Sequence, residues 1–295
     1  MNPKNQLAGV GFGLLAYGIW GFFPLFFHQL MHVAPMDVLS NRAVWACLFV
    51  AILLTLKRGW GKVLAILKTP RQFAMLALAA LLVGSNWLIF LWAVLQQQVV
   101  ASSLGYFLTP LVNVLLGMVV LKERLNRLEW LSVALAVAAI GNEILTLGNL
   151  PWISLLLAAT FGTYGLVRKQ VPVDALSGLW LETLAMLPIC GLYALWQAQH
   201  GHQVFAAHDA TTTGLLIGAG ILTALPLIAF AAATQRLALV TVGMLMYINP
   251  TLQFFTAVKL FGEPMQDARL FSFALIWLGL LVFSFSAWRK YRTAA

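Results

Sequence analysis

The chain has 295 residues, of which 61% are hydrophobic and only 9% charged. Soluble domains carry roughly a quarter charged residues, so this chain has too few to cover a globule of its size and must face lipid. Its formal charge of +9 lies in short breaks between apolar runs, not on a stripe. That distribution argues against a nucleic-acid partner and follows the positive-inside pattern of membrane proteins.

About 20 apolar residues cross a bilayer. In chain order the candidate spans are 7–29, 38–56, 73–95, 99–121 and 128–147, then 152–167, 176–196, 213–233, 239–260 and 269–288. The sixth is the shortest. The first follows Lys4 with no small-x-small cleavage pattern, so it is expected to be a retained span. The connections are too short for a soluble domain. Cys47 and Cys190 fall inside apolar runs and are expected to be small buried side chains, with no disulfide framework or metal spacing. His200, His202 and His208 lie in the longest polar break and read as a solvated loop more readily than as a metal site. Lys57, Arg58, Lys62, Lys68, Arg71, Lys122, Arg124, Arg127, Arg168, Lys169 and Arg236 fall in one alternating set of breaks. The breaks 31–37, 96–98, 148–151 and 197–212 hold no Lys or Arg, so both termini are predicted to be cytoplasmic.

A proline followed thirteen residues later by a glutamate occurs twice, as Pro110 with Glu123 and Pro250 with Glu263 (123 − 110 = 263 − 250 = 13), and the prolines are 140 apart (250 − 110). Gly18-Ile19-Trp20-Gly21 in the first span resembles Gly162-Thr163-Tyr164-Gly165 in the sixth, and Asp37 to Ser40 resembles Asp174 to Ser177. Five spans per half is odd, so a duplicated half must enter the membrane upside down. The predicted fold class is all-α integral membrane, with ten transmembrane helices as two inverted-topology five-helix repeats, residues 1–147 and 152–295. That plan recurs in transporters, with the substrate site between repeats near the midplane.

Ionisable groups inside a membrane cost about 2.5–3.5 kcal/mol each on insertion scales, so each needs a reason. Glu182 lies eight residues past Asp174, about 12 Å along a helix. It reads as a proton-coupling carboxylate, a ligand for a substrate ammonium, or a structural carboxyl held between helices. Arg42 suits an anionic substrate group, or else snorkels or pairs with Asp37. Glu143, near an outer span end, reads as a solvated or interfacial carboxylate. Asn86, Asn113 and Gln253, with Ser102 and Ser103, are polar at span depth. Asn113 and Gln253 each follow their proline by three residues and are expected to flank a central cavity or to bond between helices. Trp20, Tyr164, Trp87 and Tyr106, with Trp92 and Tyr247, line a cavity or simply pack, and Trp20 and Tyr164 share slots in the Gly-x-x-Gly elements. Pro110 and Pro250 are hinge or kink positions. Glu123 and Glu263 are expected to cap or pair at helix ends. No metal-site, zinc-protease or nucleotide motif is present, and no cofactor is expected.

Tyr17-Gly18-Ile19-Trp20-Gly21, Ser40-Asn41-Arg42, Asn86-Trp87, Ala101 to Phe107, Pro110 to Gly117, Phe161 to Lys169, Glu182-Thr183, Thr223 to Pro226 and Pro250 to Phe254 together resemble the EamA family of the drug/metabolite transporter superfamily in its RarD-type branch. The resemblance covers essentially the whole chain. It implies a bacterial inner-membrane protein that exports or exchanges small solutes, with helices 1–4 and 6–9 around the cavity and 5 and 10 at the periphery. RarD-type members are commonly labelled chloramphenicol-sensitivity permeases, a label that implies little about a natural substrate. The expected function is a secondary transporter, not an enzyme, moving a small organic solute such as a drug or metabolite on a solute or proton gradient. A non-transporting scaffold or sensor is the alternative, and a dry apolar midplane would favour it. The expected partners are the solute and the lipid bilayer, not nucleic acid, and a homodimer is left open.

Overall fold

The computed structural model describes residues 3–120, 122, 125–148, 150–200, 209–234, 236–237, 241–242 and 245–294. Apolar segments in lipid must satisfy their backbone internally, so they wind into helices. Among the described residues there are helices and short connections and no strand. The first half comprises α1 (Pro3–Gly21), the short α2 (Phe23–His28), α3 (Pro35–Leu56), α4 (Trp60–Leu67), α5 (Pro70–Leu95), α6 (Val99–Val120) and α7 (Arg127–Leu147). The second comprises α8 (Trp152–Lys169), α9 (Ala175–Gln199), α10 (Ala210–Thr234), α11 (Ile248–Phe255) with a π-helical continuation Thr256–Leu260, and α12 (Asp267–Ala294).

Among the described residues, eight helical stretches are long and apolar enough to cross a bilayer: Asn5–His28, Pro35–Leu56, Pro70–Leu95, Val99–Val120, Arg127–Thr146, Ala175–Gln199, Ala210–Thr234 and Asp267–Ser286. They match eight of the ten expected spans. The sixth and ninth fall outside that set. α8 has 18 residues, ends on Arg168 and Lys169, and carries Ser154, Thr160, Thr163 and Tyr164. In the ninth, residues 239–240 and 243–244 lie outside the described residues; in the remainder α11 opens at Ile248 with Pro250 in its first turn, and the ladder widens to a π turn at Thr256–Leu260. The basic break after α3 also holds more structure than its charge suggests. Val63 and Ile66 of α4 are buried about one turn apart, and the Trp60 ring meets Trp180 edge-on at 4.9 Å.

Local chemistry sets the helix ends. Asn126 closes a capping box on α7, accepting from Leu128 N and Glu129 N while Glu129 accepts from Asn126 N. Asp174 caps α9 by accepting from Ser177 N at 3.2 Å. Asp209 caps α10, and its hydrogen bonds from Thr212 hold its carboxyl below the usual range. Asp37, by contrast, lies inside α3, where both carboxylate oxygens take Gln197 Nε2 at 3.2 Å. Asp37 and Asp174 thus stand differently on their helices, one inside the first turn and the other at the N-cap.

α3 packs on α9 and α10, α5 on α8 and α9, α1 on α10 and α11, and α6 on α8 and α11, whereas α7 packs chiefly against α12. Glycines permit the closest approaches: a Cβ on Gly105 would meet Ser154 O at 2.8 Å, and one on Gly220 would run into the backbone of Trp45 and Ala46. Leu14, Leu48, Ile52, Leu81, Val137, Leu192, Leu195 and Leu281 are exposed on the outside, the pattern of a lipid-facing surface. Buried polar side chains, including Arg42, Asn86, Ser102, Thr223, Glu182 and Gln253, lie between helices instead.

Candidate functional site

Arg42 enters the bundle from α3 and is 2% exposed. Its Nε donates to Thr223 Oγ1 of α10 at 2.6 Å. Its guanidinium carbon lies 4.1 Å from the Trp87 ring centre, 5.4 Å from Phe27 and 5.5 Å from Phe23. These faces stabilise the cation electrostatically, by about 2 kcal/mol where desolvated, but accept no strong hydrogen bond. Nη1 is buried with no hydrogen-bond partner. Arg42 neither pairs with Asp37, which is bound to Gln197, nor snorkels outward, because its head group is buried.

Next to Trp87, Asn86 joins three helices. Its Nδ2 donates to Leu157 O and Thr160 Oγ1 of α8 at 3.1 and 3.0 Å, and its Oδ1 accepts from Tyr106 OH of α6 at 3.1 Å. Aromatic rings continue from the Arg42 cage: Phe27 to Phe90 at 6.2 Å, Phe90 to Tyr106 at 6.0 Å, Tyr106 to Phe161 at 6.0 Å and Phe161 to Tyr164 at 5.8 Å. The run ends at Glu182 on α9, which is 2% exposed. Tyr164 OH donates to Glu182 Oε2 at 3.3 Å, and Arg168 Nε lies 3.2 Å from Oε1. Among the described residues, Arg168 Nη1 of that pair is buried without a hydrogen-bond partner, as are Trp180 Nε1 and Ser177 Oγ elsewhere on α9. Two buried ionisable centres, one cationic and one a neutral pair, thus bound a track of aromatic faces drawn from both halves of the chain.

A family model for the EamA-like transporter family matches residues 7–141. An uncharacterized transporter of Pseudomonas aeruginosa is 44% identical over 99% of this chain and 98% of its own length. The protein RarD of Salmonella typhi is 42% identical over 97% of this chain and 98% of its own. The chain belongs to the EamA-like transporter family. Within it, this EamA-like chain is RarD-type. A solved crystal structure 20% identical to it superposes with a TM-score of 0.58 over 96% of this chain and 98% of the other, so the two share a fold.

In this EamA-like membrane transporter the other anticipated residues are scattered. Gln253 is 2% exposed; its Nε2 donates to Asn249 Oδ1 at 2.8 Å and its Oε1 accepts from Ser102 Oγ at 3.3 Å. Asn113 is exposed, so the two amides occupy unlike surroundings. Trp20 packs with Tyr17 at 5.6 Å and Phe230 at 6.0 Å, a cluster between α1 and α10 apart from the Arg42–Glu182 run. Trp92 pairs with Trp152 at 5.1 Å. Pro110 lies mid-helix in α6, so the Tyr106 carbonyl lacks its i+4 donor, whereas Pro250 sits in the first turn of α11, where no donor is needed. Pro250 O accepts from Ser103 Oγ at 2.8 Å.

Glu263 caps α6 from the other half of the chain, its two oxygens accepting from Val99 N at 2.6 Å and Val100 N at 2.8 Å. Glu123 lies outside the described residues, as do His202 and His208. Glu143 is 2% exposed and faces Arg269 Nε at 3.6 Å, so it is a buried paired carboxylate and not a solvated one. That pair lines a cavity of about 640 Å³ with Gln98, Trp152, Ser154 and Gln266.

Sequence does not mark Phe23, Phe27 and Phe90 at all, and it does not offer Arg168, Thr223 or Phe161 as site residues although they fall in the segments that carry the family resemblance. Arg168 read as a marker of membrane side, although it stands only 14 residues before Glu182 (182 − 168) across a short break, a spacing that allows the pair. Thr223 and Phe161 carry no signal by residue type, since a threonine or phenylalanine inside an apolar run is ordinary.

Proposed function

We propose that this chain is a secondary transporter that carries a small organic solute, a drug or metabolite, across the bacterial inner membrane by alternating access between two inverted five-helix repeats, with both termini in the cytoplasm. The observation that carries this reading is the run from Arg42 through Asn86, Trp87, Tyr106, Phe161 and Tyr164 to Glu182. Such groups are costly in a membrane interior and mark substrate and ion pathways. A closed scaffold would have no use for them.

The packing supports the inverted-repeat reading. Pro35 and Ala175, Pro70 and Ala210, and Arg127 and Asp267 open their helices 140 residues apart (175 − 35, 210 − 70 and 267 − 127). Lys122 and Gly262, also 140 apart (262 − 122), both turn left-handed, with φ of 57° and 66°. Gly21 faces Leu252 and Gly162 faces Val112. This matches Gly21 with Gly162, one turn away from the Gly18–Gly162 match suggested by the sequence. Contacts also exchange between halves: α1 on α11 mirrors α8 on α6, and α3 on α10 mirrors α9 on α5. At the same offset Arg42 corresponds to Glu182 (182 − 42 = 140), so one slot carries opposite charges in the two repeats.

In this scheme the driving force is a solute or proton gradient. A proton taken by Glu182 removes its attraction for Arg168 and frees the Tyr164 hydroxyl, loosening α8 from α9. Pro110, which leaves the Tyr106 carbonyl without a helical partner, supplies a bend beside the track. The solute is sought by comparing metabolite release and drug uptake in a deletion strain with its complemented parent, then measuring flux in proteoliposomes. A difference that reconstitutes with the purified protein is expected. Glu182→Gln is expected to abolish stimulation by a pH gradient while leaving counterflow. Unchanged pH-gradient-driven flux in that variant sinks the coupling role of Glu182, and no flux of any differing solute sinks the transporter reading.

A further inference from the structure

The buried arginines are not treated alike. Arg168 has Glu182 at 3.2 Å and Arg269 has Glu143 at 3.6 Å. Arg42 is more deeply buried than either, yet among the described residues no carboxylate lies within 4 Å of it. Among the described residues its hydrogen-bond and cation–π partners are one hydroxyl, Thr223, and three aromatic rings. Thr223 Oγ1 in turn donates to Ala219 O at 2.7 Å, so it is a neutral acceptor with its own proton committed. A guanidinium offers five N–H donors, and Nη1 is left without a partner in a site where water does not reach it. A buried charge without a counter-charge is strongly destabilising, and Arg42 has no carboxylate partner among the described residues.

Resting on the transporter reading above, we infer that the solute is a small organic monoanion. Its carboxylate takes the buried, unpartnered Nη1 of Arg42, which the alternating-access motion must uncover, and its planar apolar body lies along the aromatic track that starts at Trp87. A carboxylate matches the guanidinium fork with two parallel N–H···O bonds. One unpaired cation balances one negative charge, which disfavours dianions such as phosphate monoesters. Cationic solutes are repelled at this point, and the Glu182–Arg168 pair, already neutral within itself, does not offset that repulsion. No carboxylate of the described residues reaches Arg42, so the balancing anion is assigned to the solute.

The test reads binding, not flux. The full chain, purified in detergent, is heated with benzoate, phenylacetate or butyrate and, in parallel, with benzamide, phenylacetamide or butyramide, which keep the skeleton and lose the charge. Inorganic phosphate serves as the simple-ion control. A saturable rise in Tm is expected with at least one carboxylate and not with its amide or with phosphate, since a ligand that binds only the folded state raises stability with its concentration. Arg42→Gln is expected to lose the response, and Arg42→Lys to keep it about tenfold weaker, because an ammonium does not supply the fork. Carboxylates and amides acting alike, no carboxylate acting, or an Arg42→Gln response equal to wild type would each overturn the inference. Should Arg42→Gln fail to fold, the lysine variant and the carboxylate–amide contrast in the wild-type protein decide it alone. Neutral or cationic solutes that move in proteoliposomes while carboxylates do not bind would sink the anion assignment and leave the transporter reading standing. Carboxylates that bind while no solute moves would do the reverse.

Discussion

Asn86 commits a single amide to three partners on two other helices, Leu157 O, Thr160 Oγ1 and Tyr106 OH. Interhelical hydrogen bonds in membranes average about 0.6 kcal/mol each, so Asn86→Leu is expected to cost about 2 kcal/mol and Tyr106→Phe, which removes one bond, about 0.6 kcal/mol. Unfolding midpoints of both variants in mixed detergent–SDS micelles check this ordering. Equal costs would mean that the Tyr106 bond dominates and that the α8 contacts contribute little. At this scale the sequence was informative about residue type and silent about partners. Asn86 was conspicuous because an amide inside an apolar run needs a reason. That its partners are a carbonyl and a hydroxyl on α8 depends on how α5 and α8 cross, which no local pattern encodes. Arg42 shows the same limit. Its nearest acidic neighbour in sequence, Asp37, is five residues away, yet Asp37 bonds Gln197, 160 residues further on, because α3 and α9 lie side by side.

Helices are placed by what they lack as much as by what they bear. Gly105 lets α6 come so near α8 that an added Cβ would meet Ser154 O at 2.8 Å and Leu157 Cβ at 3.0 Å. One of those atoms is backbone, so the helices must separate, and Gly105→Ala is expected to destabilise by about 1–3 kcal/mol, the usual cost of overpacking. Gly141→Ala in α7, with nothing within 4 Å of an added Cβ, is the matched control and is expected to be neutral or slightly stabilising. Glu263 ties the N-terminus of α6 to the segment between α11 and α12 through Val99 N and Val100 N. Glu263→Ala is expected to cost about 1–2 kcal/mol, as other lost caps do. The Glu263→Gln amide keeps one acceptor oxygen and should recover part of that loss in the same micelle assay. The spans were legible because about 20 apolar residues in a row have few other fates in lipid. α4 and the π turn at Thr256–Leu260 were not, because eight residues carry too little periodicity and a widened helical turn has no composition of its own.

For the molecule as a whole, the charge alternation sets an expected direction for each half, and three pairs of helix starts lie 140 residues apart, as the proposed repeats require. In the proposed repeats, Gly18 with Gly162 and Asp37 with Asp174 are chemically alike but lie about one turn from the pairs that the 140-residue offset matches, and residues three or four apart share a helix face. Side of the membrane is the remaining consequence to check, and it can be read directly. Lys122 and Pro264 follow α6 and α11 with its π continuation, which the proposed repeats pair, and both are exposed. If the repeats are inverted, these two positions face opposite compartments. With the buried Cys47 and Cys190 replaced by alanine, Gln97→Cys and Pro264→Cys are expected to react with a membrane-impermeant maleimide in intact cells. Lys57→Cys and Lys122→Cys should react only after permeabilisation. Labelling of Lys122→Cys and Pro264→Cys from the same side would rule out the inverted arrangement, and with it the argument that Arg42 and Glu182 occupy one slot seen from opposite faces.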